Sequence, residues 1–128
     1  MSEMKDIVST NNAPAAIGPY SQGIKIGELI FTSGQLPIDP CQGSMPEGIE
    51  SQTRQSLLNC KAILEQSGAK MSDIVKTTVF LKDMNDFAAM NEVYKTFFDK
   101  DYPCRSAVEV AKLPKNALVE IECIATAK

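Results

Sequence analysis

The chain has 128 residues, 44% of them hydrophobic and 23% charged, which is typical of one soluble globular domain with a sizeable core. Its net charge of −3 gives nucleic-acid binding no electrostatic support. It contains no histidine, which excludes histidine metal ligands, Ser-His-Asp or Cys-His nucleophiles and the usual general base near neutral pH.

The cellular compartment is indicated by the N-terminus and by the cysteines. The first six residues lack the apolar core of a signal peptide, and no apolar run approaches the length of a membrane span. We therefore expect a protein without a membrane partner, located in the cytoplasm or in an organelle reached by a segment not present here. The four cysteines, Cys41, Cys60, Cys104 and Cys123, form no Cys-x-x-Cys pair, so they are predicted to be free thiols, with Cys60 and Cys123 in the core.

The first third of the chain predicts short strands between loops that contain proline and glycine. The predicted strands are 6–9, 22–26 and 29–33. The second and third are joined by Gly27-Glu28, and glycine at the first position of a two-residue connection favours a type II′ hairpin. Prolines and glycines punctuate 12–20 and 33–46, which are predicted to be ordered loops.

Between about Gly48 and Ser67 the apolar residues recur with the period of a helix. Its buried stripe is predicted to comprise Thr53, Leu57, Cys60 and Leu64, widened by Leu58, Ala62 and Ile63. Gly68 follows the last turn and suits the left-handed conformation that ends many helices.

The second half of the chain alternates strands with a second helix. The predicted strands are 74–82, 106–110 and 117–125, and Val75, Val79 and Leu81 are placed on one face of the first of them. Asn85 is predicted to cap the second helix, with Asp86 in its first turn. Its buried stripe is predicted to be Phe87, Met90, Tyr94 and Phe97 or Phe98, and it ends near Asp99.

This order of elements predicts an α+β fold over residues 1–128 as one domain. Amphipathic helices must cover one face of the sheet, so the expected architecture is a two-layer sandwich with a mixed sheet of about six strands and two helices on one face. No repeat, linker or low-complexity segment divides the chain.

Arg105 is a candidate ligand contact because it opens a predicted strand directly after Tyr102-Pro103, which must be extended or turning. A guanidinium held at a strand rim can bind a carboxylate or a phosphate through two bonds at once. One interpretation is that Arg105 binds the carboxylate group of a small ligand. A surface arginine, or an ion-pair partner for a nearby glutamate, is the other, and composition alone favours it.

Two glutamates, Glu120 and Glu122, share one face of the last predicted strand. This face is either solvated, with the glutamates paired to basic side chains, or it places one glutamate near Arg105 to polarise a water molecule. Strand order alone leaves open whether Arg105 and Glu120 meet within one chain or across a subunit contact.

Three further polar positions have both a structural and a functional interpretation. Tyr20 follows Gly18-Pro19 and either contacts a ligand or bonds to the backbone. The Ser33-Gly34 pair at a strand end is either a turn or a place where a ligand approaches the backbone. Asn91 lies beside the apolar stripe of the second helix, where a half-buried amide needs partners.

Seven segments of the sequence resemble the RidA/YjgF family, in the family's order and over nearly the whole chain. They are APAAIGPYSQ at 13–22, TSGQ at 32–35, RQSL at 54–57, VKTTVFLK at 75–82, NDFA at 85–88, RSAVEV at 105–110 and EIE at 120–122. The resemblance implies a chorismate-mutase-like fold and a homotrimer with ligand clefts between subunits. It also implies cofactor-independent hydrolysis of reactive enamines and imines, such as 2-aminoacrylate, 2-iminopropanoate and 2-iminobutanoate, to 2-keto acids and ammonia.

The resemblance also implies roles for particular residues and no metal site. Arg105 would bind the substrate carboxylate and Glu120 would position or activate the attacking water. The cleft would be lined by Tyr20, Ser33, Gly34, Asn91 and Phe87. The family often has cysteine where this chain has Ala107, so only the backbone N–H of Ala107 could contribute, and strand alternation directs Cys104 to the face opposite Arg105.

Two other functions are compatible with the same sequence. One is a non-catalytic or regulatory trimer that uses the cleft to sense a 2-keto acid. The other is a nuclease or translation-inhibiting role, which the acidic charge and the absence of histidine oppose.

Overall fold

The computed structural model describes residues 4–127, and the mixed six-stranded sheet with two helices found there confirms the predicted α+β class. The elements are β1 (Asp6–Val8), β2 (Gly23–Ile26), β3 (Leu29–Thr32), α1 (Ile49–Gln66), β4 (Ile74–Leu81), α2 (Phe87–Tyr94), β5 (Cys104–Glu109) and β6 (Val119–Thr126). In the described part of the chain, no helix is long and apolar enough to cross a membrane.

The strands lie in the order β1-β2-β3-β6-β4-β5. All neighbouring pairs are antiparallel except β4 and β5, which are parallel. Parallel neighbours need a crossover connection, and α2 supplies it. As a result α2 returns across the sheet beside the edge strand β5, where Arg105 lies.

Both helices pack on the same face of the sheet. Leu57, Cys60 and Leu64 of α1 belong to one buried cluster with Ile121 and Cys123 of β6. The predicted core positions of Cys60 and Cys123 are therefore confirmed, since their exposed fractions are 0% and 2%. All four cysteines are free thiols, as predicted.

The opposite face of the sheet has no helix over it in the described residues, and we call it the open sheet face. Four large apolar side chains, 37–45% exposed, lie on this face: Leu29, Phe31, Val75 and Val108. Glu120 and Glu122 of β6 share it, because cross-strand partners point to the same side and Glu120 pairs through Phe80 of β4 with Val108 of β5.

Two predicted glycine conformations are confirmed. Gly27 has φ +59° at the first position of the two-residue β2–β3 turn, as a type II′ hairpin requires. Gly68 has φ +88°, and the N–H groups of Gly68 and Ala69 donate to the carbonyls of Glu65 and Leu64 (3.1 and 2.8 Å). This is the paired pattern of a Schellman motif, so α1 ends where the glycine predicts.

Three local predictions are wrong. Val75 is 45% exposed, because a register shift between Ile74 and Lys76 turns Ile74 inward in its place. Leu58 is 40% exposed, since it lies at the outer margin of the α1 stripe. The start of the second helical region is capped by Asp83, whose carboxylate accepts the N–H of Asn85 (2.9 Å), so Asn85 is not the cap.

Candidate functional site

One face of α2 holds the guanidinium of Arg105. Its Cζ lies 5.4 Å from the ring centroid of Phe87 and 4.8 Å from that of Tyr94. Its Nη1 donates to Oδ1 of Asn91 at 2.6 Å. Because the three residues are spaced i, i+4 and i+7, they share one helix face. We call Phe87, Asn91 and Tyr94 the guanidinium clamp.

The guanidinium has no acidic partner within the described residues. The one side-chain ion pair found between residues 4 and 127 joins Lys95 to Glu92 (3.1 Å). The carboxylate of Glu109 instead accepts the backbone N–H of Met84 (2.8 Å). The interpretation of Arg105 as an ion-pair partner for a nearby glutamate is therefore wrong, and most of its five N–H donors remain available to an anion.

A cleft of ≈ 390 Å³ opens beside this guanidinium. It is lined by Asn91, Tyr94, Lys95, Tyr102, Pro103 and Arg105. Two of these side chains are cationic, and Lys95 is paired with Glu92, so among residues 4–127 Arg105 supplies the unpaired positive charge that a small carboxylate needs.

Ala107 lies on the edge strand β5, two residues after Arg105. β5 pairs on one side with β4, and the N–H of Val110 donates to the carbonyl of Leu81 across that pair (2.9 Å). N–H groups alternate in direction along a strand, so the N–H of Ala107, three residues earlier, points to the outer edge of the sheet. Cys104 is exposed, and its alternation with the half-buried Arg105 agrees with the predicted opposite face.

Tyr94 is fixed by a second contact. Its hydroxyl shares a hydrogen bond of 2.7 Å with Thr77 Oγ1 in the core. Burial raises the pKa of Tyr94, against the lowering effects of the Thr77 hydrogen bond and the Arg105 charge. The phenol therefore stays neutral near pH 7 and presents an uncharged ring to the guanidinium.

Glu120 lies against the backbone at Gly34. The N–H of Gln35 donates to the carbonyl of Ile121 (2.7 Å) and the N–H of Ile121 donates back to Gln35 (3.2 Å), which fixes the segment after β3 beside β6. A Cβ atom at position 34 would overlap the Glu120 carboxylate. A side chain at position 34 would therefore require the Glu120 side chain to move.

The Glu120 carboxyl group binds its proton more tightly than a glutamate in water does. Burial is the larger cause and repulsion by the Glu122 carboxylate the smaller, and together they raise the pKa of Glu120. A carboxyl group with a raised pKa is suited to accept a proton and return it near neutral pH.

Tyr20 and Gly34 line a second cleft of ≈ 250 Å³ with mostly apolar walls that include Ile17, Leu36 and Ile38. Tyr20 is 51% exposed in the single chain. Ser33 lies at the same end of β3, but its hydroxyl donates to the carbonyl of Ser21 at 2.6 Å. Its proton is thus engaged by the backbone, and its oxygen is left as an acceptor.

The predicted site residues therefore fall into two groups. The Arg105 half-site consists of Phe87, Asn91, Arg105 and Ala107, and the Glu120 half-site consists of Tyr20, Ser33, Gly34 and Glu120. Arg105 pairs through Thr77 with Cys123, whose side chain faces the helices, whereas Glu120 lies on the open sheet face. Arg105 and Glu120 are consequently on opposite faces and do not meet within one chain.

Comparison with known proteins agrees with the fold. A 2-iminobutanoate/2-iminopropanoate deaminase from Salmonella typhimurium is 54% identical over 125 residues, which cover 95% of this chain and 98% of the relative. A RutC family protein from Pyrococcus horikoshii is 57% identical over 123 residues, with the same coverages. The crystal structure of E. coli TdcF with bound serine superposes with a TM-score of 0.93 at 51% identity, covering 96% of this chain and 99% of the other.

A family model described as Endoribonuclease L-PSP matches residues 10–127. The chain belongs to the RidA/YjgF family. The resemblance and the fold class predicted from the seven sequence segments are thereby confirmed.

Two residues that lie beside Arg105 in this RidA/YjgF chain were not predicted as site residues. Tyr94 was predicted to be a core residue, and it is buried, but its ring also contacts the guanidinium. Its i+7 spacing from Phe87 is the signal that could have shown this. Lys95, the second cation of the cleft, follows Tyr94 directly and no pattern in the sequence distinguishes it.

Gly34→Ala is expected to lower the free energy of unfolding by about 1–3 kcal/mol, because the added methyl group must displace the half-buried Glu120 side chain. Gly18→Ala is the matched control: its Cβ would meet the Tyr20 ring at an ordinary 3.5 Å, so a change within about 1 kcal/mol is expected. Urea denaturation measures both. Equal stabilities of the two variants would contradict the close packing at Gly34.

Proposed function

We propose that this chain hydrolyses reactive enamines and imines of small 2-amino acids to 2-keto acids and ammonia. The observation that carries the proposal is the clamped guanidinium of Arg105, which opens to a cleft and has no carboxylate partner among residues 4–127. The 54% identity to a Salmonella typhimurium protein named 2-iminobutanoate/2-iminopropanoate deaminase supports it.

Arg105 binds the carboxylate of the substrate in this proposal. Asn91 and the two rings hold one side of the guanidinium, so the remaining donors can form two parallel bonds to a carboxylate. Hydrogen bonds to charged groups contribute about 1.5–3 kcal/mol each. The outward N–H of Ala107 adds a neutral donor for the same anion.

Glu120 is the general acid–base group of the proposed reaction. An enamine first gains a proton at its terminal carbon and loses one from its nitrogen, which gives the imine. Glu120 then accepts a proton from water as the water oxygen bonds to the C=N carbon, and returns it to the nitrogen, which gives the carbinolamine. Glu120 next takes the hydroxyl proton of the carbinolamine and passes it to the nitrogen as the C–N bond breaks, so the C=O group of the 2-keto acid forms and ammonia leaves. Imine plus water thus gives keto acid plus ammonia, with no redox step and no cofactor.

Both half-sites act on one substrate only if a second copy supplies one of them. The open sheet face, with Leu29, Phe31 and Val108 exposed and no covering helix in the described residues, is a suitable contact surface. We propose a homotrimer, in which cyclic symmetry places the Arg105 half-site of each subunit against the Glu120 half-site of the next.

Complementation tests the shared site. Arg105→Ala and Glu120→Gln chains, each inactive alone, are expected to regain about a quarter of the wild-type rate when they are coexpressed, because a quarter of random contacts join an intact Arg105 to an intact Glu120. Ammonia release from the copurified mixture is the measurement, and two wild-type chains with different tags set the reference. A mixture no more active than its components would show that one chain supplies both residues.

The activity itself is tested by generating the imine with a pyridoxal-phosphate-dependent dehydratase and following keto-acid release with and without the protein. We expect faster release in its presence. Binding of a 2-keto acid without acceleration would instead favour the sensing trimer. The net charge of −3 and the lack of histidine give no support to RNA cleavage, although the matching family model is described as an endoribonuclease.

A further inference from the structure

Arg105, Thr77 and Tyr94 are connected to one another by three contacts. The backbone of Arg105 pairs with Thr77 across β4 and β5. The hydroxyl of Thr77 bonds to the hydroxyl of Tyr94 at 2.7 Å. The ring of Tyr94 lies 4.8 Å from Cζ of Arg105, which completes the circuit. Each member is therefore fixed by the other two.

We propose that Tyr94 is a positioning residue for the substrate carboxylate, acting through Arg105. This inference rests on the proposed function and concerns how Tyr94 holds Arg105, beside which it lines the cleft. Tyr94 is 5% exposed and cannot move away, because Thr77 holds its far end. The ring thus keeps the guanidinium aimed along the cleft before any anion arrives.

The two ends of Tyr94 have separable tasks. The ring faces a cation and contributes a cation–π attraction. The hydroxyl satisfies Thr77, which is 1% exposed and would otherwise be a buried polar group without a partner. Loss of the hydroxyl should therefore reduce stability, whereas loss of the ring should release the guanidinium. If Tyr94 only stabilised the fold, the losses of its ring and of its hydroxyl would each change stability and substrate binding together.

The variants Tyr94→Phe and Tyr94→Leu separate these tasks. Tyr94→Phe keeps the ring and leaves Thr77 unpaired, so we expect a lower melting temperature and KM within about twofold of wild type. Tyr94→Leu removes the ring, so we expect KM for the imine to rise about 3- to 30-fold, the range that cation–π energies correspond to, with a smaller change in kcat. Equal KM values for the two variants would overturn the inference.

A second readout does not depend on the proposed activity. The order parameter of Arg105 Nε, from ¹⁵N relaxation of the whole protein, is expected to stay high in Tyr94→Phe and to fall below about 0.6 in Tyr94→Leu. An unchanged value in Tyr94→Leu would reject the positioning role, whether or not the protein hydrolyses imines. If the order parameter falls in Tyr94→Leu but the wild type does not hydrolyse imines, the proposed function is rejected, and the positioning of Arg105 by Tyr94 still holds.

The double variant Tyr94→Leu/Arg105→Gln tests whether Tyr94 acts through Arg105. If it does, loss of Tyr94 should change KM by less than about twofold once glutamine has replaced Arg105, because no cation then faces the ring. A full additional rise in KM would mean that Tyr94 affects the substrate independently of Arg105, and would overturn the inference.

Discussion

Arg105→Ala is expected to lower kcat/KM for imine hydrolysis by about 10²- to 10⁴-fold, the equivalent of two charge-assisted hydrogen bonds at about 1.5–3 kcal/mol each. Arg105→Lys should lose most of the same activity, because an ammonium group cannot reproduce the planar fork. Steady-state ammonia release in the dehydratase-coupled assay measures both. The fold should survive, since Arg105 lies half-buried on an edge strand.

Lys95→Ala is the matched control for charge. Lys95 lines the same cleft, but its ammonium group pairs with Glu92 at 3.1 Å and its side chain is 56% exposed. Its removal takes away one positive charge without touching the clamp, so kcat/KM should change by less than about threefold. Comparable losses in Lys95→Ala and Arg105→Ala would mean that overall charge, not the guanidinium, binds the substrate. Near-normal activity of Arg105→Ala would contradict the proposed function itself.

Much of the fold could be predicted because local patterns and long-range packing agree. The stripe of α1 is buried where its helical period places it, and Gly68 ends the helix in the left-handed conformation. The predictions failed where one residue departs from a regular period. The register shift after Ile74 turns the side chain of Val75 away from the core. Asp83 caps the second helical region two residues before the expected cap, Asn85.

The division of the site could not be predicted for a different reason. Alternation along a strand shows which residues share a face of that strand, but not which face of the finished sheet it is. That depends on β6 inserting between β3 and β4, a pairing of segments far apart in the sequence. Glu120 and Arg105 were each identified as candidates from local signals, while their placement on opposite faces required the topology.

Glu120→Gln is expected to slow turnover by about 10²- to 10⁴-fold, the contribution of general acid–base catalysis, and to weaken 2-keto-acid binding much less. Glu122→Gln is the matched control, because Glu122 lies on the same strand and face two residues away. It should remain active. Rates come from the coupled assay and affinities from pyruvate titration calorimetry. An unchanged rate in Glu120→Gln would remove this carboxyl group from the mechanism.

The pH dependence of kcat/KM in Glu122→Gln should differ from that of the wild type. The active base is the ionised carboxylate, so the rate falls as pH drops through the raised pKa of Glu120. Glu122→Gln removes the smaller of the two causes of that raised pKa, so the acidic limb of kcat/KM should move to lower pH, though only in part because burial remains. A limb that stays in place would show that Glu122 does not act on Glu120.

Stability should respond to Glu120 in the opposite sense to activity. A pKa of Glu120 that is higher in the folded than in the unfolded chain means that the folded state binds the proton more tightly. The resulting stabilisation is present below the unfolded pKa and is lost as pH rises through the folded one. Glu120→Gln, which cannot ionise, should therefore raise the melting temperature at pH 7 relative to wild type and lose that advantage near pH 4. A variant that is less stable at pH 7 would mean that the carboxylate stabilises the folded chain, and its role as a strained proton acceptor would have to be abandoned.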